Sequence, residues 1–260
     1  MNPLHLAAAI AVVILLAGWL GLFLQRVLPE SYTTGPARDM IGAVAGLLTL
    51  LSALVLGLLI WTAYGVYSGQ NLAVQTLAAK VLDLDIALAD YGPDAAPLRD
   101  KLKATVGVTI DELKTAEQSD ASFVAENLRA ALDNLHKRDH AIGALHPQTD
   151  EQKQALASAR ATAESISQSR VQMALALSSP VSYPLLFTVA GWVSTIFLGY
   201  GLTGKGHLMT VFAIGVGAIA AGAAFFLILD MSVPYDGIFH ISSAPLQEVM
   251  SVMGKAQGQN

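Results

Sequence analysis

The sequence contains no cysteine. Disulfides, thiol nucleophiles and thiolate metal ligands are therefore excluded. Charge is scarce as well. Asp, Glu, Lys and Arg make up 13% of the 260 residues, about half the share usual in soluble domains. Four stretches carry none of these residues at all: Leu6 to Leu24, Met40 to Tyr67, Leu185 to Thr203 and Leu208 to Leu229. Each is about 19 residues or longer, enough for a helix to cross a hydrocarbon core of roughly 30 Å.

Other absences narrow the function. No acid or base sits mid-run, and proton relays and ion-coupled transporters usually need one there. A passive pathway is left open. No Walker loop, GxGxxG fingerprint or Ser-His-Asp set occurs, and Gly215-Val216-Gly217 lies inside an apolar run. An enzyme is not expected, and neither is a cofactor. No basic patch interleaved with aromatics points to nucleic acid. His136 and His140 have metal-ligand spacing, but no third ligand stands at a useful distance in sequence, so no metal is expected. Asp83, Asp85, Asp90 and Asp94 do not follow the spacing of a calcium loop and read as a solvated face.

What is present is apolar and helical. The chain is 53% hydrophobic, with a mean hydropathy of +0.51. The segment Ser68 to Tyr183 holds 15 of the 20 acidic and 11 of the 15 basic residues. The expected fold is an all-α membrane protein: four transmembrane helices in two pairs, flanking an extramembrane helical bundle. Residues 1–67 form the first pair and 68–183 the helical domain. Residues 184–230 form the second pair and 231–260 a polar tail. The first run has no basic n-region and no A-x-A cleavage site, so it reads as a retained helix and not as a signal peptide.

The second membrane helix does not stop at the bilayer edge. From Val74 its apolar positions are Val74, Leu77, Val81, Leu84, Leu88 and Tyr91, in steps of three and four. Gln70, Asn71, Gln75, Lys80, Asp83, Asp85 and Asp90 supply a wet face. The helix is predicted to continue to about Tyr91 and to end at Gly92-Pro93. Further amphipathic helices are predicted over Ala95 to Thr115, over Asp120 to Leu145, and onward from Thr149-Asp150-Glu151-Gln152. That last tetrad has the form of a capping box. Gly42 with Gly46, and Gly215, Gly217, Ala218, Ala221 and Gly222, are small residues suited to close helix packing within one subunit.

Thr49, Ser52, Thr62 and Tyr64 place hydroxyls among the leucines of the second helix. They are candidates to line a pore, although Ser and Thr also bond their own helix carbonyls. The candidate pore-lining set is Thr49, Ser52, Leu54, Leu58, Trp61 and Thr62. Asp230 ends the last apolar run, where the helix dipole disfavours an anion, so a specific partner is expected for it. Ser242-Ser243-Ala244-Pro245 reads as the start of a short amphipathic helix with Leu246, Val249 and Met250. The default role of that helix is to tie the tail to the helical domain.

Particular segments resemble one family. They are Leu28-Pro29-Glu30, Arg38-Asp39, Leu88-Ala89-Asp90-Tyr91-Gly92-Pro93, and Phe226-Leu227-Ile228-Leu229-Asp230. To these are added Pro234, Asp236 and Gly237, then Ile241-Ser242-Ser243-Ala244-Pro245-Leu246. Together they resemble the bestrophin-like family of bacterial membrane proteins, distantly similar to the bestrophin anion channels. The resemblance implies a homo-oligomer, pentameric by likeness, that conducts a small inorganic ion across the bacterial inner membrane and carries a cytosolic helical domain. The short loops, with Arg26, Arg38 and Lys205, lean the opposite way under the positive-inside rule. Long domains count little in that rule, so the cytosolic placement is adopted. The alternative is a membrane-anchored scaffold or sensor whose helical domain binds a partner without transport.

Overall fold

The computed structural model describes residues 3–29, 34–116, 142, 144–177, 182–204, 208–232 and 241–257. Among them run helices α1 (Pro3–Val27), α2 (Pro36–Tyr91), α3 (Ala96–Ala116), α4 (Asp150–Leu177), α5 (Tyr183–Thr203), α6 (Leu208–Met231) and α7 (Ala244–Gln257), and no strand. The four uncharged runs fall within α1, α2, α5 and α6. Each of these helices is long and apolar enough to cross a bilayer. The chain is an all-α, multi-pass membrane protein.

Two compact units divide inside α2, between Gly65 and Val66. The first contains α1, the earlier part of α2, α5 and α6. The second contains the rest of α2, α3, α4 and α7.

In the first unit α1 packs against both α5 and α6. Lipid tails are as apolar as leucine, so membrane helices gain from close approach and not from escaping water. Glycine supplies that approach. Gly21 lies against the Leu198 carbonyl, and a methyl group on Gly201 would stand 2.9 Å from the Gly21 Cα. A methyl on Gly18 would meet Ile214, one on Gly217 would meet Phe197, and one on Gly222 would meet Ala11, all at 2.6–2.7 Å. Gly42, Gly46 and Gly215 make no such contact, because open space surrounds each Cβ position. The tightest small-residue contact therefore joins α1 to α5, at positions the pattern of small residues did not single out.

In the second unit the predicted seam is buried in full: Val74, Leu77, Val81, Leu84, Leu88 and Tyr91. It meets Leu102, Val106 and Ile110 of α3, Leu156 and Ile166 of α4, and Leu246 and Met253 of α7. Each large aliphatic side chain buried from water contributes roughly 1.5–3 kcal/mol. Two residues assigned to the wet face are corrected. Gln70 and Asp85 are both buried. Gln70 donates through Nε2 to the Met173 carbonyl at 3.0 Å. Asp85 accepts from Arg99 (below). Gln70 stands four residues before Val74, on the face of the seam itself, and Asp85 stands four after Val81, at its edge. A polar group buried there needs a hydrogen-bond partner, which the sequence pattern does not show. Conversely, Ile86, Val171 and Leu175 are exposed.

Helix ends follow local chemistry. α2 stops where Gly92 adopts φ 108°, a left-handed conformation open to glycine. Pro93, which has no N–H, then opens a short 3-10 turn to Ala95. At the start of α4 the Gln152 N–H donates to Thr149 Oγ1 at 3.1 Å, as a capping box requires. Gln152 Oε1 reaches one residue further back than the motif specifies, to the Gln148 N–H at 2.8 Å. Its Nε2 donates to the Tyr91 carbonyl at 3.3 Å, tying the start of α4 to the last residue of α2. The helix predicted over Asp120 to Leu145, with His136 and His140, lies almost wholly outside the described residues. Within it, Ile142 is buried in this core.

Candidate functional site

Within the first unit, α2 is packed on one side only. Ala45, Ser52, Leu59 and Ala63 recur at helical spacing and are buried. The opposite face carries Leu47, Leu50, Leu54, Leu58 and Trp61. Leu50, Leu54 and Trp61 are 72%, 74% and 72% exposed. Of the most apolar window of α2, 17% is buried, against 28–33% in the other three candidate spans. α2 is thus the span least covered by its own chain.

The six residues singled out for a pore do not share one face. Leu54, Leu58 and Trp61 stand together on the bare side. Thr62 flanks that side, about 80° round the helix from Leu54 by the 3.6-residue turn. Thr49 lies nearer the packed side, and Ser52 is within it. The threonine hydroxyls bond their own helix: Thr49 Oγ1 donates to the Ala45 carbonyl at 2.7 Å and Thr62 Oγ1 to Leu59 at 2.9 Å. Ser52 Oγ is buried and has no hydrogen-bond partner among the described residues. Between Leu47 and Trp61 the bare side of α2 therefore offers leucine and tryptophan, with exposed Asp39 and Tyr64 near its two ends. Such a stretch can set width and wetting.

The C-terminal motif divides similarly. Asp230 is buried at the end of α6. Pro234, Asp236 and Gly237 lie outside the described residues. Ser243 immediately precedes α7: its carbonyl accepts from Gln247 N–H at 3.1 Å, and its Oγ accepts from Gln247 Nε2 at 2.7 Å. Ser242 Oγ accepts the Ala244 N–H at 3.1 Å, and Pro245 occupies the first turn, where its missing N–H costs nothing. Where it is described, then, the motif starts α7. That helix in turn presses Leu246, Val249 and Met253 into the second core. Lys103 Nζ donates to the Met253 carbonyl at 2.8 Å and fastens α7 to α3.

One polar pair was not foreseen. Asp85 and Arg99 form a two-pronged ion pair, Oδ1 to Nε and Oδ2 to Nη2, both at 2.8 Å. Their side chains are 4% and 14% exposed. The hydrogen bond to Asp85 raises the Arg99 pKa above its ordinary value. Burial lowers it by less, and the charges of Asp85 and Asp100 add to the rise. The only trace of this pair in the sequence is an Asp and an Arg on either side of a Gly-Pro turn.

Among curated proteins and among solved structures, comparison finds no similar chain. A family model described as the bestrophin-like domain matches residues 11–246, which covers most of the first candidate span, the other three in full and the segment between the two pairs. This chain therefore belongs to the bestrophin-like family.

Proposed function

We propose that this protein is a homo-oligomeric anion channel, pentameric by likeness to bestrophins, in which the bare side of α2 lines a shared central pore. The observation that carries the reading is the one-sided packing of α2 in a bestrophin-like chain. A span left this bare by its own subunit is suited to face a common axis and neighbouring copies. Leu50, Leu54, Leu58 and Trp61 would then form stacked apolar rings, and such rings gate by dewetting. Anion preference follows from the family likeness alone.

In this reading the second unit sits in the cytosol below the inner membrane. Its exposed Leu72, Ile86, Val108 and Leu175 would meet neighbouring subunits. Exposed apolar groups on a water-facing unit are costly unless covered. The same residues favour the second reading, a membrane-anchored scaffold whose helical unit holds a different protein.

Two measurements on the purified full chain separate the readings. Native mass should give a closed ring of one chain, and vesicles loaded with a chloride-sensitive dye should show protein-dependent chloride entry. A monomer with tight vesicles would overturn the channel and leave the scaffold.

A further inference from the structure

The first unit contains a groove of about 240 Å³ between the start of α2 and the end of α5. Ile41, Val44, Ala45 and Leu48 form one wall, and Thr195 and Gly199 contribute to the other. Thr195 is polar, but its hydroxyl is already spent on the Gly191 carbonyl at 2.9 Å. The groove exists because Gly199 has no side chain. A methyl there would come 3.3 Å from Ile41 Cγ2 and narrow the cleft. Water gains nothing from such a lining, whereas a hydrocarbon chain fits it.

Charge at one end names the occupant more closely. Arg38, Ile41 and Ala45 stand at i, i+3 and i+7, so Arg38 continues the groove row toward the N-terminal end of α2. Arg38 is exposed, and among the described residues no acidic side chain pairs with it. Its neighbour Asp39 is rotated about 100° further round the helix, on the side away from the groove. Side chains on a helix lean toward its N-terminus, which carries the guanidinium outward to headgroup depth. Arginine binds phosphate in a two-pronged geometry.

We infer that this groove is a site for one anionic glycerophospholipid, with an acyl chain lying along Val44 and Leu48 and the phosphate on Arg38. The site does not depend on conduction. It makes a bound lipid part of the α2–α5 contact, the place where the least-covered span of the chain meets its own subunit.

The test is lipid retention by the detergent-purified full chain, read by native mass spectrometry. The probes are phosphatidylglycerol and phosphatidylcholine of identical acyl chains. Wild type should retain phosphatidylglycerol in preference. Arg38→Gln should weaken that lipid roughly fivefold and phosphatidylcholine, whose phosphate is partly neutralised by its own choline, by clearly less, so that the preference is lost. Arg26→Gln, which removes a cation from the same end of the unit, should change neither. Val44→Trp fills the groove from α2 and Thr195→Trp fills it from α5, and either should remove retention of both lipids without altering subunit number. Preference that survives Arg38→Gln, or that falls equally with Arg26→Gln, would reduce the site to diffuse surface charge and overturn the inference. A changed subunit number in both tryptophan variants would make a second copy of the chain the occupant and overturn it as well.

Discussion

Asp85 and Arg99 grip each other through two hydrogen bonds of 2.8 Å, from α2 to α3 across the turn at Gly92-Pro93. Both partners are largely withdrawn from water. Breaking one half of such a pair strands a buried charge. Asp85→Leu or Arg99→Met should therefore destabilise the chain by about 3–5 kcal/mol. Replacing both, Asp85→Leu with Arg99→Met, should recover most of that loss, because the desolvation cost disappears with the pair. Chemical unfolding followed by circular dichroism checks the cycle. Additive losses in the double variant would show that the two residues act independently.

The pH behaviour of that pair has a definite sign. Arg99 is a base whose folded pKa is raised. Its contribution is complete below the unfolded pKa and is lost only as pH rises through the higher folded value. Between about pH 6 and 10 the Arg99 share should be flat. A wild-type minus Arg99→Met stability difference that shrank across that window would contradict the assignment.

The α1–α5 contact gives a second prediction. Gly21→Ala or Gly201→Ala places a methyl where backbone already stands, and the helices must part. The expected cost is about 1–3 kcal/mol in detergent unfolding. Gly42→Ala and Gly46→Ala meet open space, so within one chain they should be neutral or stabilising by up to about 1 kcal/mol. Equal costs at all four positions would contradict the packing described.

Ser52 yields a third. A buried hydroxyl without a partner carries an uncompensated desolvation penalty of roughly 1–3 kcal/mol. Ser52→Ala should leave stability unchanged or raise it by about 1 kcal/mol, as measured by thermal inactivation in detergent. A clear loss would mean that the hydroxyl bonds a group outside the described residues.

Much of the architecture was legible because burial in lipid writes a coarse signal. Runs of about 20 uncharged residues marked α1, α2, α5 and α6, and the three-four spacing from Val74 to Tyr91 marked the buried seam of α2. The start of α4 was legible in Thr149 and Gln152, because a cap is a local bond. What the pattern concealed was pairwise. Gln70 and Asp85 look like solvent-facing residues until Met173 and Arg99 are seen beside them. Gly21 and Gly201 lie 180 positions apart, and no local rule joins them. On α2, uniform leucine content hides direction. Only the packed row Ala45, Ser52, Leu59 and Ala63 shows which side is bare, and so separates Leu54, Leu58 and Trp61 from Ser52.

The cysteine-free sequence permits the most direct test of the central proposal. Leu54→Cys and Ser52→Cys are introduced singly, and each protein is recorded in planar bilayers before and after a charged, membrane-impermeant thiol reagent. The account predicts anion-selective steps in both variants, with rapid loss or change of current for Leu54→Cys and none for Ser52→Cys, which faces the packed side of α2. Silent bilayers, or a current from Leu54→Cys that the reagent leaves untouched, would contradict a pore lined by the bare side of α2.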